Sequence, residues 1–234
     1  MKKISVIIPT FNEQQNILIM LNKLSQLEAQ IVNYKLNVII IDGFSKDETI
    51  NIIKKNKKNL NLKIYFQSKL GGPSIAIMDG IQKSKDQYIL ILDADNPVSI
   101  KDIKKLIKEA NSNSLVIGSR FSKGSKIYRV SKLKIFFSIL FSKLISKIFK
   151  INVNDASHSL RIFPRKINFL SKNLYHPMFF WEHTIFSARK GLIIKDVPII
   201  YNERIYGKSN LQLSKLILNV VKAIFNLKKL LKYK

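Results

Sequence analysis

The chain contains no cysteine. Disulfide frameworks, thiol nucleophiles and cysteine-based zinc sites are therefore excluded. Histidine is nearly as scarce: His158, His176 and His183 are the full set, and they form no His-rich metal cluster. His158 reads as a packed or hydrogen-bonded side chain. Acidic residues number 15 against 41 Lys and Arg, a formal net charge of +26. An excess of that size points to anionic partners, whether nucleotides, phospholipid headgroups, lipid-linked phosphates or nucleic acid. Part of it is ordinary solvated surface, as in the lysine run at 54–58. No stretch reaches 18 uncharged apolar residues, so no transmembrane helix is expected. The basic start at Lys2 and Lys3 leads into an apolar run too short for a signal peptide. Gly71-Gly72 is not followed by Gly-Lys-Ser/Thr and is not a P-loop. There is no internal repeat and no low-complexity linker.

What remains is a chain of 234 residues, enough for one large α/β domain or a domain with an appendage. Apolar strands are predicted at 3–9, 36–42, 62–67, 88–92 and 115–119. Helices are predicted at 14–27, from the 43–48 turn to 55, at 71–81 and at 99–110. Alternation of this kind argues for parallel βαβ units. Near-continuous apolar strands fit a sheet covered on both faces. Residues 1–210 read as one unit, and 211–234 as a basic amphipathic helix beyond it.

The sharpest local feature is Asp93-Ala94-Asp95, where an apolar strand ends in two carboxylates one residue apart. In extended chain they point to the same side. A cation between them relieves their repulsion, and oxygen ligands shared with phosphates favour Mg²⁺ or Mn²⁺. The competing reading is an acidic turn, with Asp95 capping the next helix. Asp42 also ends a strand, at the edge where open α/β sheets bind ligands. Arg120 follows the fifth strand in the same way.

The second half differs in character. Residues 131–150 form a long apolar helix with one narrow polar stripe, Lys134, Ser138, Ser142, Ser146 and Lys150. The last segment carries Gln212, Lys215, Asn219, Lys222, Asn226 and Lys229 in steps of three and four. Wide apolar arcs bordered by lysine resemble helices lying in an anionic membrane surface. The alternative is packing against each other or on the sheet. Glu182, beside Trp181, is placed at the start of a helix over 180–190. There it is a first-turn residue, an ion-pair partner or a substrate contact.

These motifs together resemble the family-2 glycosyltransferases of GT-A fold. The resemblance rests on Pro9-Thr-Phe11-Asn-Glu13, on Asp42 to Thr49, and on Asp93-Ala94-Asp95. Gly118-Ser-Arg120, Asp155 to Arg161, Trp181-Glu182 and Arg204-Ile-Tyr-Gly-Lys208-Ser narrow it to the dolichol-phosphate mannose synthases and their polyprenyl-phosphate relatives. It implies an α/β fold with a mostly parallel, Rossmann-like sheet flanked by helices and C-terminal amphipathic helices. It implies that Pro9, Phe11, Glu13, Asp42, Gly72, Asp93, Ala94 and Asp95 bind a nucleotide-sugar. Asp93, Asp95 and Asn96 are its candidate ligands for Mg²⁺ or Mn²⁺. Arg120, Arg129, Arg204 and Lys208 are its cations for donor or acceptor phosphate, with Asp95, Arg120, Arg204 and Lys208 catalytic. The chain departs from the family in four places: Gly43 replaces a second aspartate, Asn96-Pro97 a common Gln or His, Ser159 a glycine and Asn210 a lysine.

The implied reaction moves a sugar from a nucleotide-sugar to a polyprenyl phosphate, with inversion. A phosphate is already anionic, so no general base is required. The expected partners are the donor, the polyprenyl phosphate, an anionic membrane surface and an integral-membrane subunit. The expected location is peripheral, on the cytoplasmic face. Transfer to a sugar hydroxyl is the nearest alternative, with Glu182 or Asp155 as base. A non-catalytic basic nucleotide- or nucleic-acid-binding protein is the alternative of another class, and the ordered carboxylates at strand ends argue against nucleic acid.

Overall fold

A computed structural model describes residues 1–57, 60–95, 98–167, 169, 171 and 176–202. Asn96, Arg204, Lys208 and the 211–234 helix lie outside the described residues. The element order is β1 (Lys2–Thr10), α1 (Ile17–Gln30), β2 (Tyr34–Asp42), α2 (Thr49–Asn56), β3 (Asn61–Phe66), α3 (Pro73–Lys83), β4 (Tyr88–Ile91), α4 (Ile100–Glu109), β5 (Ser114–Ser119), β6 (Lys126–Tyr128), α5 (Lys132–Phe149), β7 (Arg161–Pro164), α6 (His176–Arg189), β8 (Ile193–Pro198) and β9 (Ile200–Asn202).

Seven strands form one sheet in the order β3-β2-β1-β4-β7-β5-β8, and β6 pairs with β9 in a small second sheet. All neighbours in the large sheet are parallel except at β7, which is antiparallel to both β4 and β5. The α/β architecture with a mostly parallel, helix-flanked sheet is therefore as expected, and the reversed strand is new. Neither its length nor its composition distinguished Arg161–Pro164 from loop.

Alternation along the strands sorts the core into two layers. Val6, Ile8, Leu90, Val116 and Ile162 face α1, α2 and α4, with Leu21, Leu24, Ile53, Ile103 and Leu106. Ile7, Ile89, Ile91, Ile117 and Phe163 face α3, α5 and α6, with Ile77, Ile145, Phe179, Phe180 and Trp181. Period-two side chains on a sheet covered on both faces produce this division. Helix α4 begins at Ser99, whose hydroxyl accepts from the Asp102 amide at 3.1 Å. The N-cap is thus Ser99, and the reading of Asp95 as that cap is overturned. Helix α6 begins at His176, not at Phe180, so Glu182 is not in its first turn.

Helix α5 is turned so that Ser142 and Ile145 are buried while Leu133, Phe136 and Leu140 are exposed. Within the serine stripe Ser142 faces the protein and Ser138 and Ser146 are half-buried. Among the described residues no helix is long and apolar enough to cross a membrane.

Helix α3 crosses β1 at Gly80, where an added Cβ would lie 2.5 Å from Ile7 Cγ2. Ile7 is fully buried and has nowhere to move. Gly80→Val is expected to lower stability by about 1–3 kcal/mol through overpacking, measured by urea unfolding. Ile7→Ala in the same background should recover part of the loss.

Candidate active site

The C-terminal ends of the parallel strands define one edge. Thr10, Asp42 and Phe66 lie abreast there, through the registers Thr10–Asp42 and Asp42–Phe66. Asp93 and Asp95 follow β4, and Arg120 follows β5. Because β7 runs the other way, the residues that precede it arrive at this same edge. Arg161 pairs with Ile91 and with Ile117. Two residues outward from the Ile91–Arg161 pair, Ser159 meets Asp93, and its hydroxyl donates to Asp93 Oδ2.

The loop before β7 is held by Arg161, whose side chain is fully buried. Its guanidinium donates to the His158 carbonyl at 2.6 Å, the Ala156 carbonyl at 3.3 Å and the Phe180 carbonyl at 3.2 Å. It also donates to Thr184 Oγ1 at 3.3 Å and stands 3.0 Å from His183 Nδ1. Arginine only donates, so His183 accepts at Nδ1 and carries its proton on Nε2. Burial depresses the Arg161 guanidinium, with Asp155 and Asp93 acting against it.

Arg120 is paired with Asp155 in a fork, Nε to Oδ2 at 2.7 Å and one terminal amino group to Oδ1 at 2.8 Å. The Arg120 amide also donates to Oδ2 at 3.1 Å, and that amino group reaches Ser157 Oγ at 3.2 Å. Burial opposes both charges, but the pairing overrides it: Asp155 is held below the ordinary carboxylate value and Arg120 above its own. A bidentate pair of this kind fixes orientation as well as charge. Asp155 is fully buried and ion-paired, which is poor ground for a general base.

The remaining predicted residues separate into those at the edge and those engaged elsewhere. Phe11 is exposed, Pro9 and Glu13 are partly exposed, and Gly72 opens α3 with φ +81°. Ala94 is buried between two partly exposed carboxylates. Asp42 is 0% exposed: Oδ2 accepts from Thr10 Oγ1 at 2.9 Å and Ser45 Oγ at 2.7 Å, and Oδ1 from the Ser45 amide at 2.7 Å. Here it organises the turn after β2. Arg129 is exposed, with φ +62°. Glu182 is buried and accepts from Ser171 Oγ at 2.5 Å. His158 is buried and packed edge-on against Tyr201. The sequence reading missed Lys23, which donates to the Val98 carbonyl and ties α1 to the chain after Asp95. It also missed the structural use of Arg161 and Ser159. An arginine between apolar residues in Leu160-Arg161-Ile162 was the available signal.

The donor set suits a divalent cation of the Mg²⁺ or Mn²⁺ kind in part. Asp93 and Asp95 offer carboxylate oxygens at an accessible edge. Among the described residues no cluster of three or more candidate protein ligands occurs. Magnesium-like ions commonly take one or two protein carboxylates, with substrate phosphates and water completing the shell, so two are compatible.

This fold and edge define a class. The model of Glycosyl transferase family 2 matches residues 5–169, and the chain belongs to that family. The chain is 31% identical over 121 residues to the poly(ribitol-phosphate) β-N-acetylglucosaminyltransferase TarS of Staphylococcus aureus, covering 50% of this chain and 21% of that one. It is 27% identical over 215 residues to a dolichyl-phosphate β-glucosyltransferase of Trichomonas vaginalis, 86% of this chain and 66% of the other. It is 30% identical over 126 residues to the dolichol-phosphate mannosyltransferase of Pyrococcus furiosus, 53% of this chain and 35% of that one. The chain thus spans between a fifth and two thirds of these relatives. The GT-A arrangement is shared with solved structures. TarS 1–349 with UDP-GlcNAc superposes with TM-score 0.61 at 20% identity, covering 96% of this chain and 67% of that one. Glucosyl-3-phosphoglycerate synthase of Mycobacterium tuberculosis with Mn²⁺ and UDP-glucose superposes with TM-score 0.67 at 16% identity, covering 95% and 77%.

Burial makes the histidines near the site acid-sensitive. His158 is pushed down to about 3 by burial, with Arg120 acting in the same direction and Asp155 against. His183 is lowered well below its ordinary value by burial and by Arg161. Both stay neutral in the fold while the unfolded chain takes up protons below about pH 6.5. Stability is then full above that pH and falls as pH drops toward the folded values. The unfolding free energy should decrease by about 2 kcal/mol through His158 between about pH 7 and pH 5, with His183 acting in the same direction. Urea titrations at the two values check this, and His158→Gln should flatten the slope.

Proposed function

We propose that this protein is an inverting glycosyltransferase that moves a sugar from a nucleotide-sugar to a polyprenyl phosphate, such as dolichyl or undecaprenyl phosphate, at a membrane surface. The observation that carries the reading is the juxtaposition, at one sheet edge, of the Asp93/Asp95 pair with the cation Arg120. The likeness to the dolichyl-phosphate β-glucosyltransferase over 86% of this chain supports a lipid-phosphate acceptor.

In this mechanism Asp93 and Asp95 would hold Mg²⁺ or Mn²⁺, and the presence of Mn²⁺ in the structure of the glucosyl-3-phosphoglycerate synthase supports an ion of this kind. Held there, such an ion would supply charge neutralisation for the leaving diphosphate. Ser159 orients the Asp93 carboxylate through its hydroxyl. Asn96 is the further ligand we assign from the sequence. The acceptor phosphate oxygen attacks the anomeric carbon in line, the bond to the diphosphate breaks, and the configuration inverts. Arg120, Arg129, Arg204 and Lys208 are assigned to phosphate oxygens, for which guanidinium forks are well shaped. Asp155 orients Arg120 toward this edge. Pro9, Phe11, Glu13 and Gly72 line the donor.

The outward face of α5 gives the membrane part its support. Leu133 is 51% and Phe136 59% exposed, with Lys132, Lys143, Lys147 and Lys150 also exposed around them. Apolar side chains bordered by lysine suit the headgroup boundary of an anionic bilayer. The 211–234 helix would add a second such element, and an integral-membrane subunit a firmer anchor. We place the protein peripherally on the cytoplasmic face.

The likeness to TarS favours a second reading, transfer to a hydroxyl. That chemistry needs a base. Asp155 is ion-paired with Arg120, which leaves Glu182 to serve.

The test is incubation with polyprenyl phosphate in vesicles, Mn²⁺ and a panel of labelled nucleotide-sugars. Label in an acid-labile, organic-extractable lipid is expected. Removal of the metal by chelation should abolish it, and Asp95→Asn should reduce it by about a hundredfold or more, in keeping with a major electrostatic contribution. Label confined to water-soluble glycan, or absent across the panel, contradicts the proposal.

A further inference from the structure

The loop between α5 and β7 is gripped from two sides. Arg161 takes its carbonyls, at Ala156 and His158. Asp196, on β8, takes its amides. Asp196 Oδ2 accepts from the Asn154 amide at 2.7 Å and from Asn154 Nδ2 at 3.0 Å. The Asp155 amide favours the charged form of the same carboxyl. A guanidinium only donates and an ionised carboxylate only accepts, so each anchor holds its own kind of backbone group. Asp155 lies between the two anchors.

Asn154 also reaches the other segment of the site. Its Nδ2 donates to Ser122 Oγ at 3.3 Å, and the Ser122 amide donates to Ser119 Oγ at 3.1 Å. Ser119 ends β5, and Arg120 follows it. The Arg120–Asp155 fork is thus flanked by a second bridge, Ser122–Asn154–Asp196. Burial raises the Asp196 carboxyl, the Asn154 hydrogen bonds act against this, and Asp155 acts with it. The two carboxylates disfavour each other, and each is compensated by its own donors: Asp155 by Arg120, Asp196 by Asn154.

Arg120 and Asn154 line one cavity of about 670 Å³, together with Ile135, Ile139 and Lys143 of α5. In the sheet, β4 and its Asp93 exit separate β1, β2 and β3 from β5 and β8. The residues assigned to the donor at Pro9, Phe11 and Glu13 belong to the first side. Arg120 and Asp196 belong to the second, which leaves this cavity to the acceptor.

We propose that Asp196 is a positioning residue for the acceptor phosphate: by holding Asn154 it fixes Asp155, and through Asp155 the direction in which Arg120 faces the cavity. The inference rests on the reading of Arg120 as a phosphate cation. Asp196 acts through two intervening residues and needs no contact with substrate. A forked pair transmits such an effect because it fixes orientation as well as charge.

The test measures transfer to undecaprenyl phosphate in vesicles, with Mn²⁺ and the labelled nucleotide-sugar that the parent protein uses. Affinity for the matching nucleoside diphosphate with Mn²⁺ is measured alongside by calorimetry. Asp196→Ala should lower kcat/KM for undecaprenyl phosphate by about tenfold or more, as displacement of a positioned group does, with nucleotide affinity unchanged. Asp196→Asn should restore most of the loss, because its side-chain carbonyl accepts the same two hydrogen bonds. Asp155→Asn combined with Asp196→Ala should be no worse than Asp155→Asn alone, since residues acting through one network do not add. Asn154→Ala, which keeps the backbone hydrogen bond, should show a smaller loss of the same kind. Parental kcat/KM in Asp196→Ala overturns the proposal. Additive losses in the double variant, or an equal loss of nucleotide affinity, also overturn it. A parent protein that transfers no sugar to the lipid phosphate removes the acceptor reading itself, and the inference with it.

Discussion

Arg161 places a guanidinium in the interior of the sheet, between Ile91 and Ile117, where a charge is expensive unless its donors are met. The chain meets them with the carbonyls of Ala156, His158 and Phe180, the Thr184 hydroxyl and the His183 ring. Satisfying this one buried group dictates the path of the loop before β7. That path brings Asp155 to Arg120 and Ser159 to Asp93. The reversed strand and the buried arginine thus add Asp155 and Ser159 to a parallel sheet edge that already carries Asp93, Asp95 and Arg120. A structural ion pair and a functional edge are here the same construction, in line with the clustering of perturbed groups at sites.

The distribution of charge fits that construction. The +26 excess is spread over the surface, while the few acids are placed with purpose: Asp42 in a turn, Asp102 in a helix start, Asp155 under Arg120. The same separation of roles marks α5. Ser142 and Ile145 are turned inward and Ser146 Oγ donates to the Ile151 carbonyl at 2.5 Å, while Leu133, Phe136 and Leu140 are left outside. The proposed membrane surface gives that face an occupant and places the lipid acceptor within reach of the Arg120 edge.

Much of this was legible in the residues. Apolar runs ending in Asp42 and Asp93 marked the strands and their ligand edge, because buried parallel strands are apolar throughout and their exits are not. The family was legible in short motifs running from Pro9 to Ser209, and the family model matches residues 5–169. What escaped the sequence was long-range. Arg161–Pro164 is four residues long and has no periodicity that distinguishes parallel from antiparallel pairing. Helix α6 starts at His176, four residues before the expected Phe180. Arg120 was read by charge as a phosphate ligand, and its pairing with Asp155 across 35 residues was invisible to local pattern. Asp42, expected at the ligand edge, also accepts hydrogen bonds from Thr10 and Ser45 within the turn, which a local pattern does not show.

The central claim is that Asp93 and Asp95 bind a divalent ion together with a nucleoside diphosphate. The most direct measurement is titration of Mn²⁺, followed by its paramagnetic resonance, into the protein with and without uridine or guanosine diphosphate. The account predicts tight Mn²⁺ uptake only when nucleotide is present, and loss of that uptake in Asp95→Asn. Nucleotide binding of equal strength with the metal chelated, and Mn²⁺ uptake unchanged in Asp95→Asn, would contradict it.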